Sequence, residues 1–169
     1  MIKTIKALAV IIALTATGAM AQTLKFGHIN STQLLSLMPE TKAADSTLQK
    51  FGASLESQLK TMTNEYQTKI NDYQANSGTM AEPVKEARVR EINEIEQRIQ
   101  DFQETAQQSM QKKKEEVYTP IIKKAEEAIK KVAKDKSYSY IFDTSAGMVL
   151  FAQESDDIMP LVKSQLGLK

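Results

Sequence analysis

The chain of 169 residues has no cysteine, no tryptophan, a single histidine, six glycines and four prolines. Without cysteine there are no disulfides and no thiol chemistry, so in an oxidising compartment the fold must hold by packing alone. The lone His28 shares one face of an extended stretch with Leu24 and Phe26 and has no evident partner for proton transfer, so a structural role is the expected one. A Gly-x-Ser-x-Gly elbow, a phosphate-binding loop, a His-Glu-x-x-His pair and a zinc-ligand set are all missing. Glu115-Glu116 and Glu126-Glu127 are adjacent carboxylates, but on highly charged helical segments they read as solvated faces. Neither catalytic residues, nor a metal site, nor a cofactor is expected, and the chain is not read as an enzyme. Few glycines and few aromatics also argue against a large core with many turns and in favour of long helices.

Nor does charge of one sign dominate, with 22 basic and 21 acidic residues. The first residues form a basic stretch (Met1 to Lys6), an apolar run (Ala7 to Leu14) and the small-x-small pattern Ala19-Met20-Ala21. This predicts a signal peptide cleaved after Ala21, because the run is shorter than the roughly 20 residues a membrane span needs. Loss of Lys3 and Lys6 leaves 20 basic against 21 acidic residues, so no global basic field draws the mature chain to nucleic acid. Nothing after residue 21 is apolar enough to span a bilayer, and a soluble exported protein is expected.

What is present is periodicity. Residues 24–29 alternate as a strand, and Asn30-Ser31-Thr32 offers capping groups for a short helix through Leu34, Leu35 and Met38. Pro39 opens a new segment. There Leu48, Phe51, Leu55, Leu59, Met62, Tyr66, Ile70 and Tyr73 recur in steps of three and four that repeat every eleven residues. Such a narrow, nearly straight stripe predicts one helix packed on one partner helix. Asn76-Ser77-Gly78 ends it, with Gly78 expected in the left-handed conformation, and a second helix starts near Pro83. The second seam runs through Val84, Ile92, Ile95, Ile99, Phe102, Ala106, Met110, Val117 and Ile121, and passes Pro120 to Ala125, Ala128, Val132 and Ala133. Two long helices joined by a turn near 77–82 must lie antiparallel, as an arm over 39–120. Pro39 and Pro120 fall opposite each other at its root and are read as a hinge where the arm meets the rest of the chain.

Beyond Lys136 the period changes to two. Tyr138, Tyr140 and Phe142 alternate with Ser139, Ile141 and Asp143; a turn follows at 144–147; then Met148 to Ala152 is apolar on both faces. This predicts a β-hairpin whose second strand is buried on both sides. A last short helix, capped near Ser155-Asp156-Asp157, buries Ile158, Leu161, Val162 and Leu166. The fold class is therefore mainly α with a small β body, residues 22–38 plus 121–169, from which the hairpin arm projects. A body this small is marginal alone. Phe26, Ile141, Met148, Val149, Leu150 and Phe151 are its candidates for an oligomer interface through the sheet.

Along the arm, Met62, Tyr66, Tyr73, Met80, Val84, Phe102 and Met110 are the candidate adaptable contacts, of the kind that promiscuous surfaces use. Met80, in the turn, is expected to be exposed, and the others also serve the hairpin seam. Lys112, Lys113, Lys114, Lys123 and Lys124 flank Pro120 and offer weak contact to a membrane surface or to acidic segments, in competition with pairing to neighbouring glutamates.

The order of elements, with "INS" after the first strand, "LMPE" at 37–40, "YTPIIKKAEEAIKKVAKDKSYSYIFDTS" at 118–145 and "DDIMPLVKSQLG" at 156–167, resembles the Skp/OmpH family of periplasmic chaperones across the mature chain. Its most distinctive parts are Pro120, Ile121, Ala128, Ile129, Val132 and Ala133, the strand closing on Asp143, and the acidic start of the last helix at Asp156. The resemblance implies a homotrimer joined through its β-strands. It also implies arms around a cavity that holds unfolded outer-membrane β-barrel proteins in the periplasm without ATP. Strongly basic members carry positive arms; here residues 60–104 have six basic and nine acidic residues. The rival reading is an exported coiled-coil tether or subunit of an envelope complex.

Overall fold

The computed structural model describes residues 24–168, so the expected signal peptide lies outside the described residues. Strand β1 (Phe26–Ile29) leads into helix α1 (Ser31–Leu37), which is capped by Asn30: its side-chain oxygen accepts from the Gln33 N–H at 2.9 Å. Met38 is extended, and helix α2 (Pro39–Asn76) starts on the proline, whose missing N–H is no loss in a first turn. Its 38 residues span about 57 Å. Helix α3 (Glu82–Asp135) returns antiparallel and continues through Pro120 without ending.

The turn between them differs in one respect from expectation. Gly78 is not left-handed; among the described residues only Gly147 and Gly167 are glycines with positive φ. Ser77 instead keeps right-handed helical geometry and donates its N–H to the Tyr73 carbonyl at 2.8 Å, and Thr79 donates to the Asn76 carbonyl at 3.0 Å. The first helix thus runs out in helical turns and needs no left-handed residue.

Strand β2 (Tyr140–Asp143) pairs with β1 in parallel, Phe26 opposite Tyr140 and Ile29 opposite Asp143, with the whole arm as the connection between them. The expected β-hairpin does not form. The Ile29 carbonyl accepts from Thr144 on the β2 edge, whereas the His28 carbonyl accepts from Ile158 on the opposite edge, at 3.0 Å, beside a parallel bridge from His28 to Asp157. Residues 144–156 must therefore cross from one edge of β1 to the other, and Met148 to Ala152 cannot fold back on β2. Helix α4 (Met159–Leu166) follows, its first N–H bonded to the Asp157 carboxylate at 2.8 Å, and ends at Gly167 with φ 70°.

The core sits at the arm's root. Ile121, Ala125, Ala128 and Val132 form one stripe of α3, against which Ile29 of β1, Leu34 of α1, Met38 between α1 and α2, Ala44 of α2, Ile158 just before α4 and Val162 of α4 close. Alanines in the stripe let these elements approach closely. Gly27 is required by the same crowding, because a Cβ there would lie 2.9 Å from the Tyr138 ring and 3.0 Å from Ile158.

Candidate functional site

Two surfaces stand out, one on the arm and one on the body. Along the arm from Asp45 to Pro120 a single side chain is buried, Ile95, at 2 % exposure. Met62, Tyr66, Tyr73, Phe102 and Met110 line the seam half-buried, and Val84 near the turn is exposed. Met80 is also half-buried, against the expectation of an exposed residue, because the chain reverses tightly over residues 77–81. The seam therefore leaves apolar and aromatic edges open to solvent along its length.

Polar ties cross the arm at only two places. At the root, Lys124 pairs with Glu40, and the Tyr118 hydroxyl donates to Asp45. The Lys124 hydrogen bond, followed by the Glu40 backbone N–H, holds the Glu40 carboxyl below its ordinary range. Asp45 likewise pushes the Tyr118 phenol up. Nearer the tip, Arg98 lies 3.6 Å from Glu65, and Glu91 bridges Lys69 and Arg88, its second oxygen accepting from Arg88 at 2.9 Å. These hydrogen bonds, Lys69 first and Arg88 second, lower the Glu91 pKa.

Charge is graded along the arm. Residues 60–104 are acidic in balance, whereas residues 105–136 carry nine basic and five acidic side chains. Part of that basic density is neutralised locally: Lys113 pairs with Glu116 at 3.0 Å, Lys130 with Glu126 at 3.3 Å and Lys131 with Asp135 at 2.6 Å. Lys112, Lys114 and Lys123 form no ion pair among the described residues.

On the body, Phe26, Tyr140 and Phe142 stack on the open face of the two-stranded sheet with ring centroids 5.9 to 6.5 Å apart, all three substantially exposed. The crossing segment adds Met148, Leu150 and Phe151 at 81 %, 97 % and 83 % exposure; Val149 is half-buried. Ile141 points the other way and packs against the core. Sequence reasoning missed Tyr140 and Phe142 as interface candidates; their period-two spacing was the available signal, but not their register beside Phe26. A soluble chain seldom leaves so many large apolar side chains together in water unless something covers them.

Two anchors hold the ends of the crossing segment. His28, half-buried, donates from Nε2 to the Gln153 carbonyl at 2.9 Å. At the other end the Asp143 carboxylate accepts from the Ser31 hydroxyl at 2.5 Å, the Ser145 N–H at 2.9 Å and the Ser31 N–H at 3.1 Å. Burial pushes its pKa up, but these hydrogen bonds, led by the Ser31 hydroxyl, outweigh it and hold the carboxyl at about 2. Since this lies below the ordinary 3.8, the stabilisation is present above pH 3.8 and is lost as pH falls toward 2. Asp143→Ala is expected to lower stability at pH 7 by about 1 kcal/mol, a modest figure because solvent reaches the carboxylate, and to flatten the acid limb. Urea midpoints of both proteins between pH 2 and 7 check this.

Among the described residues no group of three or more His, Cys, Asp or Glu could hold a metal ion, and no helix is long and apolar enough to cross a membrane.

Residues 25–166 match the family model described as outer membrane protein (OmpH-like). The chain belongs to the OmpH-like family. Among OmpH-like relatives, it is 25 % identical over 154 residues to the chaperone protein Skp of Yersinia enterocolitica, covering 89 % of this chain and 91 % of that one. To the chaperone protein Skp of Vibrio cholerae serotype O1 it is 22 % identical over 122 residues, 72 % of each chain. The crystal structure of an OmpH-like outer membrane chaperone from Caulobacter crescentus CB15 superposes with a TM-score of 0.73 at 17 % identity, over 89 % of this chain and 88 % of that one. That likeness establishes the OmpH-like fold for the helical arm and small β body.

Proposed function

We propose that this OmpH-like chain is a periplasmic holdase that works without ATP, binding unfolded outer-membrane β-barrel proteins between helical arms and preventing their aggregation. The observation that carries the reading is the arm seam: from Asp45 to Pro120 the helical pair has one buried side chain, Ile95, and half-open Met, Tyr and Phe edges. Such a surface offers many weak, adaptable contacts and no deep pocket, which suits chains of varied sequence and rapid exchange. Met62, Tyr66, Tyr73, Met80, Val84, Phe102 and Met110 are the proposed client contacts. Phe26, Met148, Val149, Leu150 and Phe151, joined by Tyr140 and Phe142, are the proposed assembly surface of a homotrimer that sets the arms around a common cavity. Lys112, Lys114 and Lys123 remain available for weak contact with a membrane surface.

A urea-denatured β-barrel protein diluted into buffer tests the reading by light scattering. One trimer per client is expected to suppress scattering, with native mass measurement giving three copies of this chain. A protein that assembles but leaves aggregation unchanged would instead be a structural tether.

A further inference from the structure

The single histidine lies on the surface proposed to join the copies. Along β1, Phe26 and His28 turn to the open face of the sheet, while Gly27 and Ile29 are buried beneath it. Pairing in register sets His28 beside Phe142, so its half-buried ring adjoins the stack of Phe26, Tyr140 and Phe142. On its other side the ring reaches the crossing segment. Nε2 donates at 2.9 Å to the Gln153 carbonyl, which also accepts from the Asp156 N–H at 3.0 Å. His28 therefore stands between the two apolar patches exposed in the single chain, the stacked rings and Met148, Leu150 and Phe151.

Its chemistry differs from theirs. A carbonyl only accepts, so Nε2 carries the proton of the neutral ring, and Nδ1 has a lone pair with no partner among the described residues. Protonation adds a charge and a second N–H, at Nδ1. Water satisfies both in the single chain; a covering of apolar side chains satisfies neither, and desolvation disfavours the charged form. The neighbouring elements do not supply the missing acceptor. Asp143, at the end of β2, accepts from Ser31 and Ser145, and Asp157, bridged to His28 on the other edge, accepts from the Met159 N–H. Glu154 and Asp156 follow Gln153, the Tyr140 phenol shares the open face, and Lys25 turns away over the Tyr138 ring. His28 forms no ion pair with any of these carboxylates among the described residues. All of these groups belong to the same copy and act on the ring before and after association, so association adds chiefly the loss of water.

Histidine is the side chain that ordinarily changes charge between pH 5 and 8, and this chain has no second one and no thiol. The carboxyls of Glu40, Glu91 and Asp143 are held low and the Tyr118 phenol is pushed up, all away from that range. We infer that His28 makes the association of copies sensitive to pH, the neutral ring being compatible with a covered face and the protonated ring opposing it. The inference rests on the reading of this face as the assembly surface. Association then releases protons and weakens as pH falls.

Sedimentation of the mature chain at pH 7.5 and pH 5.5, at constant ionic strength, reads the association constant. An imidazole in water is about nine-tenths protonated at pH 5.5, so association is expected to weaken there by up to about tenfold per copy. His28→Gln keeps a donor for the Gln153 carbonyl without a charge and should associate equally at both pH values. Independently, proton NMR follows the one imidazole. It should titrate at lower pH in the assembled protein than in the double variant Leu150→Ser, Phe151→Ser, expected to stay as single chains, and this comparison decides even where His28→Gln does not fold. Undiminished association at pH 5.5, the same weakening in His28→Gln, or equal titration midpoints would each overturn the inference and leave the assembly surface standing. A chain that is single at pH 7.5, or a double variant that remains assembled, would overturn that surface and this inference with it.

Discussion

The double substitution Leu150→Ser, Phe151→Ser is expected to leave the chain folded and to break its assembly. Both side chains lie almost fully in water in the single chain, at 97 % and 83 % exposure, so the fold loses no packing when they go. In an assembly that covers them, each contributes about 2 kcal/mol from apolar burial. Each contact between copies would lose about 4 kcal/mol, roughly a thousandfold in its association constant. Light scattering coupled to gel filtration at micromolar concentration, with far-UV circular dichroism as the control for folding, reads both effects. A shift from trimer to monomer at unchanged helicity is the expected result. Unchanged mass would move the assembly surface away from the crossing segment and leave the stacked face of Phe26, Tyr140 and Phe142 to carry it.

The arm and the crossing segment differ in how far the sequence reveals them. The arm is legible because its determinants are local: steps of three and four from Leu48 to Tyr73, a proline at each root position and a turn between two stripes. The stripe Ile121, Ala125, Ala128 and Val132 is legible for the same reason, and it became core. The apolar segment Met148 to Ala152 reads as a strand because its composition is that of one. What defeats that reading is topology: β1 is flanked by β2 on one edge and Asp157–Ile158 on the other, pairings more than a hundred residues apart in sequence. Periodicity carries no information about such register. The same limit hid the side to which Tyr140, Phe142 and Ile141 would turn. On the arm, the stripe named the seam residues but could not say that Ile95 alone would be fully enclosed.

That solitary burial gives the second large effect. Ile95→Ala is expected to unfold the outer arm while the body stays folded. Removing a buried isoleucine side chain costs about 2–4 kcal/mol in transfer and cavity terms. Ile95 lies outside the core cluster at the root, so the cost falls on the arm alone. The outer arm has little to offset it, since Glu65–Arg98 and Lys69–Glu91 are solvent-accessible pairs, which water and salt screen. Without seam packing, each outer helix of about 20 residues is marginal in water. Amide hydrogen exchange should therefore accelerate roughly thirtyfold to a thousandfold over 60–104, with exchange at Ile29, Val132 and Val162 unchanged. Ile95→Val, which removes one methyl group, should give a graded effect of about 1 kcal/mol. Uniform acceleration across arm and body would mean that arm and core unfold as one cooperative unit. In that case the seam would be stabilised from the root outward, and Ile95 would not be the outer arm's own anchor.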